Sequence, residues 1–162
     1  MNVLFVCLGN ICRSPMLDGW MRARIDADPS LSWLHVDSAG LQGAHAGEAP
    51  DPRAIRIARE HGVDLSGLCA RQLSDDDFER FDLLLFADQS TFSAGLRRAG
   101  PRHHPRMHRL MEWLDLPPFD LADPWYGDFE DFRECWARVE LAGPLLLDRL
   151  HAARRSRDAS TA

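Results

Sequence analysis

Near the N-terminus a cysteine and an arginine stand with five residues between them, in the run Cys7-Leu8-Gly9-Asn10-Ile11-Cys12-Arg13-Ser14-Pro15. A thiolate is a strong nucleophile, and a planar guanidinium holds two phosphate oxygens in a way that the point charge of lysine does not. The preceding Asn2-Val3-Leu4-Phe5-Val6 has the β-branched and aromatic content of a buried strand. Ser14-Pro15 reads as a helix start, with Ser14 at the N-cap and Pro15 in the first turn. The run therefore fills a strand-to-helix loop, which turns successive N–H groups inward and adds the positive end of the following helix. This is a phosphate cradle with a nucleophile at its start, where N–H groups, helix and Arg13 all favour the thiolate of Cys7. Gly9 and Asn10 suit the tight curl, since both residue types enter left-handed backbone conformations. Ser14 has a competing use as a donor to the Cys7 thiolate or to a departing phosphate, in which case it is not free to cap the helix.

Cysteine and arginine at one spacing occur by chance, so the context carries the weight. The string VCLGNICRSP, beginning at Val6 immediately after a strand, closely resembles the low-molecular-weight protein tyrosine phosphatase family. Phosphoryl transfer to a thiolate also needs an acid for the leaving oxygen. Asp123-Pro124-Trp125-Tyr126-Gly127 is the matching segment. Alone it reads as a surface turn. Beside the N-terminal motif it resembles the loop in which the family carries its general acid. The resemblance implies Cys7, Arg13 and Asp123 as the catalytic set, with Asp123 first protonating the leaving oxygen and then acting as base on the attacking water. It implies Leu8, Gly9, Asn10, Ile11, Cys12 and Ser14 around the substrate phosphate, and Trp125 and Tyr126 beside the substrate ring, with Leu8 as a further apolar wall. No metal or cofactor is called for. Cys12 either forms a reversible disulfide with Cys7, as the family does, or is a small buried side chain.

The expected substrates are phosphotyrosine-containing proteins, with a tyrosine kinase as a cellular counterpart. Three other readings stay open. A protein-arginine phosphatase has a similar loop but carries threonine where Ile11 stands. An arsenate reductase of this fold needs a later redox cysteine pair, and Cys69 and Cys135 are far apart in sequence. A non-catalytic module that binds oxyanions or phosphoproteins would not need the acid.

Alternating strand and helix signals place these residues in an α/β fold. Helices are expected over residues 16–28, 52–61, 89–99 and 128–153, and strands over 2–6, 34–37 and 82–87. A short strand or helix start is expected near 107–110. The pattern predicts a four-stranded parallel sheet with helices on both faces and the phosphate loop between the first strand and first helix, at the carboxyl edge where such sheets bind ligands. Residues 1–155 read as a single domain and 156–162 as a frayed tail. The 162 residues are 45% hydrophobic and 27% charged, enough for a real core. A net charge of −6 argues against nucleic acid as the main partner. No signal peptide or membrane span is evident, and the four cysteines form no spaced framework, so a cytoplasmic chain with reduced thiols is expected.

Other positions follow or leave the family pattern. By the resemblance, Ser38 of Ser38-Ala39-Gly40 joins a network that holds Asn10. Relatives add a histidine just before an Ala-Arg-Gln run, where this chain has Cys69 before Ala70-Arg71-Gln72. Ala44 stands where many relatives place a large aromatic, Leu41 replaces a threonine, and Ala87 a methionine before Asp88. His104, His108 and Glu112 have the four-residue spacing of metal ligands on a helix, but Pro105 places His104 outside any helix. Arg154-Arg155-Ser156-Arg157 reads as a solvated tail or as C-terminal charge on a helix, and Trp20, Trp113 and Trp136 as core.

Overall fold

The computed structural model describes residues 1–160. β1 (Asn2–Cys7) is one of the two inner strands of a four-stranded sheet with order β2-β1-β3-β4, where β2 is His35–Gly40, β3 Leu83–Phe86 and β4 Met107–Arg109. All three pairings are parallel, with Cys7 opposite Gly40 and Val6 opposite Phe86. β1 and β3 are apolar along nearly their whole length because a parallel sheet is covered on both faces. One face packs Val3 and Phe5 against α1 (Arg13–Ala27), α2 (Pro52–Glu60) and α6 (Phe129–Ser160) through Met16, Trp20, Ile57, Phe132 and Trp136. The other packs Leu4, Val6 and Phe86 against the short α3 (Asp77–Arg80) and α4 (Gln89–Arg98), through Phe78, Phe81 and the partly buried Phe92. α5 (Leu110–Trp113) follows β4 directly, so the segment near 107–110 is both strand and helix start. The four-stranded parallel sheet with helices on both faces is as the sequence predicts.

The order β2-β1-β3 sends the chain to opposite sides of β1, and the carboxyl ends of β1 and β3 form the switch point where open α/β sheets leave a crevice. The loop after β1 lies there. α1 begins at Arg13, earlier than expected, and Ser14 lies within it rather than at its N-cap; Cys12 holds that position without a side-chain capping bond. The reason is that the Ser14 hydroxyl is engaged with the loop. Against α1, Gly143 of α6 allows a close crossing, since a Cβ there would lie 2.4 Å from the Trp20 ring.

Trp20 and Trp136 are buried and Trp113 packs at the core edge, stacked with His108 at 5.4 Å. His104 lies in a 3-10 turn and meets the Leu96 carbonyl at 3.1 Å, while Glu112 pairs with Arg109. The sequence reading ends the domain near residue 155, whereas α6 continues as helix to Ser160. There Arg157 donates to Asp82 at 3.1 Å and Arg154 lies over the Trp33 ring, so these arginines dock on the fold rather than being wholly solvated. Residues 161 and 162 of the expected tail lie outside the described residues. Among the described residues no helix is long and apolar enough to cross a membrane.

Candidate active site

The loop from Cys7 to Arg13 is shaped by bonds on its outer side. Its carbonyls at Cys7 and Leu8 accept from the N–H groups of Leu41 and Gln42 at 3.0 and 2.9 Å, and that of Ile11 from Asp51 at 2.7 Å. Among the described residues none accepts from the N–H groups of Leu8, Gly9, Ile11 or Cys12. With the carbonyls turned out, those donors are left for an anion. Asn10 takes the left-handed conformation, at φ 58°, that the tight curl requires. Gly40 lies directly beneath, where a Cβ would stand 2.9 Å from the Gly9 carbonyl carbon and the Leu8 oxygen. Only glycine at the end of β2 lets the loop close over it.

A chain of hydrogen bonds behind the loop fixes which atom donates to Cys7. The backbone N–H of Arg71 can only donate, and it donates to Asn10 Oδ1 at 2.9 Å. The Asn10 amide is thereby oriented, so its Nδ2 donates to Ser14 Oγ at 2.8 Å. Ser14 Oγ, having accepted there, directs its own hydrogen at Cys7 Sγ, 3.0 Å away. The Asn10 backbone N–H also donates to Sγ, at 3.3 Å. Two donors are thus aimed at one sulfur.

This network corrects the role expected of Ser38. Ser38 donates to Asp18 Oδ2 at 2.9 Å and takes no part in holding Asn10. Alternation along β2 puts Val36 and Ser38 on the α1 face, where the buried Asp18 waits. Burial pushes the Asp18 carboxyl up, opposed by the hydrogen bond and charge of Arg22. The 70–72 run does serve Asn10, but through the main chain of Arg71, while the exposed Cys69 points its sulfur no closer than 3.9 Å to the Ala70 carbonyl. Arg71 is itself fixed by Asp37 and the fully buried Asp77. Cys12 is buried beside the loop, and burial with the negative charge of Asp51 pushes its thiol well up. Cys135, buried behind the site, is pushed up to about 12.

Arg13 closes the loop with almost no exposed surface. Nη1 donates to Asp88 Oδ2 at 2.5 Å and to the Leu121 carbonyl at 3.0 Å, and Nη2 to Asp123 Oδ2 at 3.3 Å. Burial works against the charge of Arg13, but Cys7, Asp123 and Asp88 outweigh it and hold the guanidinium ionised. Its Nε is buried without a partner, a donor that an oxyanion in the cavity would satisfy. Asp88 is ionised in turn: burial raises its carboxyl, and the Thr91 N–H and Arg13 bring it below the usual range.

Asp123 reaches the same cavity from the segment between α5 and α6. Its Oδ1 accepts from the Trp125 N–H at 3.2 Å, and the segment is tied to β3 by Leu121 N–H donating to the Ala87 carbonyl at 2.8 Å. Trp125 and Tyr126 form an edge-to-face pair with centroids 4.8 Å apart, and Tyr126 is 84% exposed. The cavity, about 150 Å³, is lined by Cys7, Leu8, Gly9, Ile11, Cys12 and Arg13 of the loop, by Asp123, Trp125 and Tyr126, and by Gln42 and His45. Asn10 and Ser14 sit behind the loop rather than on the lining.

Asp88, Gln42, His45 and the Arg71 main chain were not marked by the sequence reading. Only Asp88 left a signal, as the start of the Asp88-Gln89-Ser90-Thr91 helix cap at the carboxyl end of β3. The assembled site offers a cysteine sulfur, a ring of N–H donors, a buried guanidinium and the Asp123 carboxyl group on the same cavity, the parts that transfer of a phosphoryl group to sulfur requires.

Residues 2–156 match the family model described as low molecular weight phosphotyrosine protein phosphatase. A low molecular weight protein-tyrosine-phosphatase of Streptomyces coelicolor is 40% identical over 152 residues, covering 90% of this chain and 91% of that protein. The crystal structure of YfkJ from Bacillus subtilis is 32% identical with a TM-score of 0.86, covering 94% of this chain and 96% of that one. A protein tyrosine phosphatase from Entamoeba histolytica, solved with Hepes in the active site, has a TM-score of 0.88 at 26% identity, covering 95% of this chain and 99% of that one. The chain belongs to the low molecular weight phosphotyrosine protein phosphatase family.

Proposed function

We propose that this chain hydrolyses phosphotyrosine in proteins through a phosphocysteine on Cys7. The observation that carries the reading is the position of Cys7 Sγ, 3.0 Å from Ser14 Oγ and 3.3 Å from the Asn10 N–H, on the floor of a cavity bordered by Arg13 and Asp123. The loop N–H groups and Arg13 bind the non-bridging phosphate oxygens. A phosphate oxygen competes with Asp123 for Arg13 Nη2, which frees the Asp123 carboxyl to turn toward the leaving group. The Cys7 thiolate attacks phosphorus, the bond to the aryl oxygen breaks, and Asp123, entering the step as the carboxylic acid once it has left Arg13, gives that oxygen its proton and becomes the carboxylate. Asp123 then takes a proton from water as the water attacks phosphorus, and the sulfur–phosphorus bond breaks to return the thiolate to its two donors. Trp125, Tyr126 and Leu8 supply apolar walls beside which an aryl ring packs, and all three are exposed to a partner's surface.

Such a substrate implies a tyrosine kinase as counterpart and a cytoplasmic setting in which Cys7 stays reduced. The test is hydrolysis of a small aryl phosphate at mildly acidic pH without added metal, comparing the intact chain with Cys7→Ser, followed by phosphotyrosine and phosphoarginine peptides. Turnover lost in the variant, with phosphotyrosine preferred, supports the reading. Equal turnover in both chains, or preference for phosphoarginine, overturns it.

A further inference from the structure

The distal part of the acid-bearing segment is fastened by one side chain from another element. Arg53, in the first turn of α2, donates from Nη1 to the Gly127 carbonyl at 3.0 Å and from Nη2 to the Trp125 carbonyl at 3.2 Å. Besides these, Trp125 N–H donates to Asp123 and Gly127 N–H to the Pro124 carbonyl within the stretch, and Arg13 Nη2 donates to the Asp123 carboxyl at its start. The guanidinium is held rigidly from below. Asp51 accepts from Arg53 Nε at 3.0 Å, Nη2 at 2.9 Å and the Arg53 backbone N–H at 2.8 Å, and the Phe132 ring lies 4.4 Å from the guanidinium carbon. The Asp51 N–H in turn donates to the Ile11 carbonyl of the phosphate loop at 2.7 Å. A continuous path thus runs from the phosphate loop through Asp51 and Arg53 to the two carbonyls that flank Tyr126.

We propose that Arg53 is a positioning residue that sets the acid loop over the phosphate loop, so that its loss impairs proton transfer by Asp123 without impairing phosphate binding. Two carbonyls two residues apart suit a planar fork; a lysine reaches one of them as a point charge. Displacement of a reacting group by about 1 Å costs on the order of a hundredfold in rate. The effect falls on reactions that need the proton. An ester with a poor leaving group feels it, and one whose leaving group departs as a stable anion does not.

The inference rests on the reading of Asp123 as the acid, and the experiment separates the two. Hydrolysis of phenyl phosphate and of 2,4-dinitrophenyl phosphate is compared in the parent, Arg53→Ala, Arg53→Lys, Asp123→Asn and the double variant Arg53→Ala/Asp123→Asn, with inhibition by inorganic phosphate measured in each. The expected result for Arg53→Ala is a fall in kcat/KM, which reports the step in which the aryl oxygen leaves, of roughly ten- to a hundredfold on phenyl phosphate and only a few-fold on the dinitrophenyl ester. Phosphate inhibition is expected to stay unchanged and Arg53→Lys to recover part of the loss. In the Asp123→Asn background the Arg53 change is expected to add nothing on phenyl phosphate. An equal fall in kcat/KM for both esters, weakened phosphate binding, or a full further loss in the Asp123→Asn background overturns the inference. If Asp123→Asn itself leaves the leaving-group preference unchanged, the acid reading fails first. Should Arg53→Ala fail to fold, Arg53→Lys and Arg53→Gln carry the same comparison.

Discussion

Replacing Ser14 by alanine removes one atom with two partners, and the structure assigns a separate consequence to each. Ser14 Oγ directs its hydrogen at Cys7 Sγ at 3.0 Å, because it already accepts from Asn10 Nδ2 at 2.8 Å. A hydrogen bond to a charged group is worth roughly 1.5–3 kcal/mol. At about 1.4 kcal/mol per decade, its loss lowers the rate roughly ten- to a hundredfold. In the proposed mechanism the sulfur is nucleophile in the first step and leaving group in the second. A donor to the thiolate helps it to depart, so the loss is expected in hydrolysis of the phosphoenzyme and appears in kcat, with a burst of aryl product on rapid mixing. The second consequence is structural. Asn10 Nδ2 is left buried without an acceptor, at a cost of about 1–3 kcal/mol, or a fall of roughly 3–10 °C in melting temperature for a chain this long. Stopped-flow hydrolysis of 4-nitrophenyl phosphate and urea unfolding read the two effects independently. A variant that loses the expected stability but keeps kcat within about twofold of the parent would refute the donor relay.

The left-handed backbone of Asn10 predicts that Asn10→Gly unfolds at higher urea than Asn10→Ala, although both lose the bonds to Arg71 and Ser14. Alanine at φ 58° pays about 1–2 kcal/mol, offset in the comparison by the greater freedom of glycine in the unfolded chain, for a difference of about 1 kcal/mol; equal stabilities would show that the loop carries no such strain. Asp77 gives a pH dependence. Burial alone would raise its carboxyl, but the bonds from Arg71 and the Ser74 N–H, with the charge of Arg71, bring it below the usual range. A depressed folded-state value stabilises the fold above the unfolded value near 3.9 and is lost as pH falls through the folded value. Asp77→Asn is therefore expected to lower stability at neutral pH by about 2 kcal/mol, and by progressively less below about pH 4, as read by urea unfolding across pH; a loss that stays constant down to pH 2 would contradict this.

What could be read in advance was local. The strand before Cys7, the glycine and asparagine of the loop, and the α/β alternation all follow from chemistry within a few residues. The partners of the site residues do not. Arg13 meets Asp88 and Asp123, and Asn10 meets the main-chain N–H of Arg71, all across long separations in sequence. A backbone donor leaves no mark in residue type, which is why the sequence pointed to the histidine missing before Ala70-Arg71-Gln72 and not to the Arg71 amide. Ser38 was misplaced for a matter of parity: one face of β2 meets Asp18, and only the register of β2 on β1 decides which side chains look that way. The helix through Arg157 is held by Asp82, a pairing that a charge run near the chain end does not announce.

The most direct test of the account is the covalent step at sulfur. The protein is mixed with an aryl phosphate, quenched in acid within the first turnovers, and digested for mass spectrometry. A phosphate adduct on the peptide that contains Cys7, absent in Cys7→Ser and enriched in Ser14→Ala, is the predicted result. Continued turnover with no adduct, or with the adduct on any other residue, would contradict it.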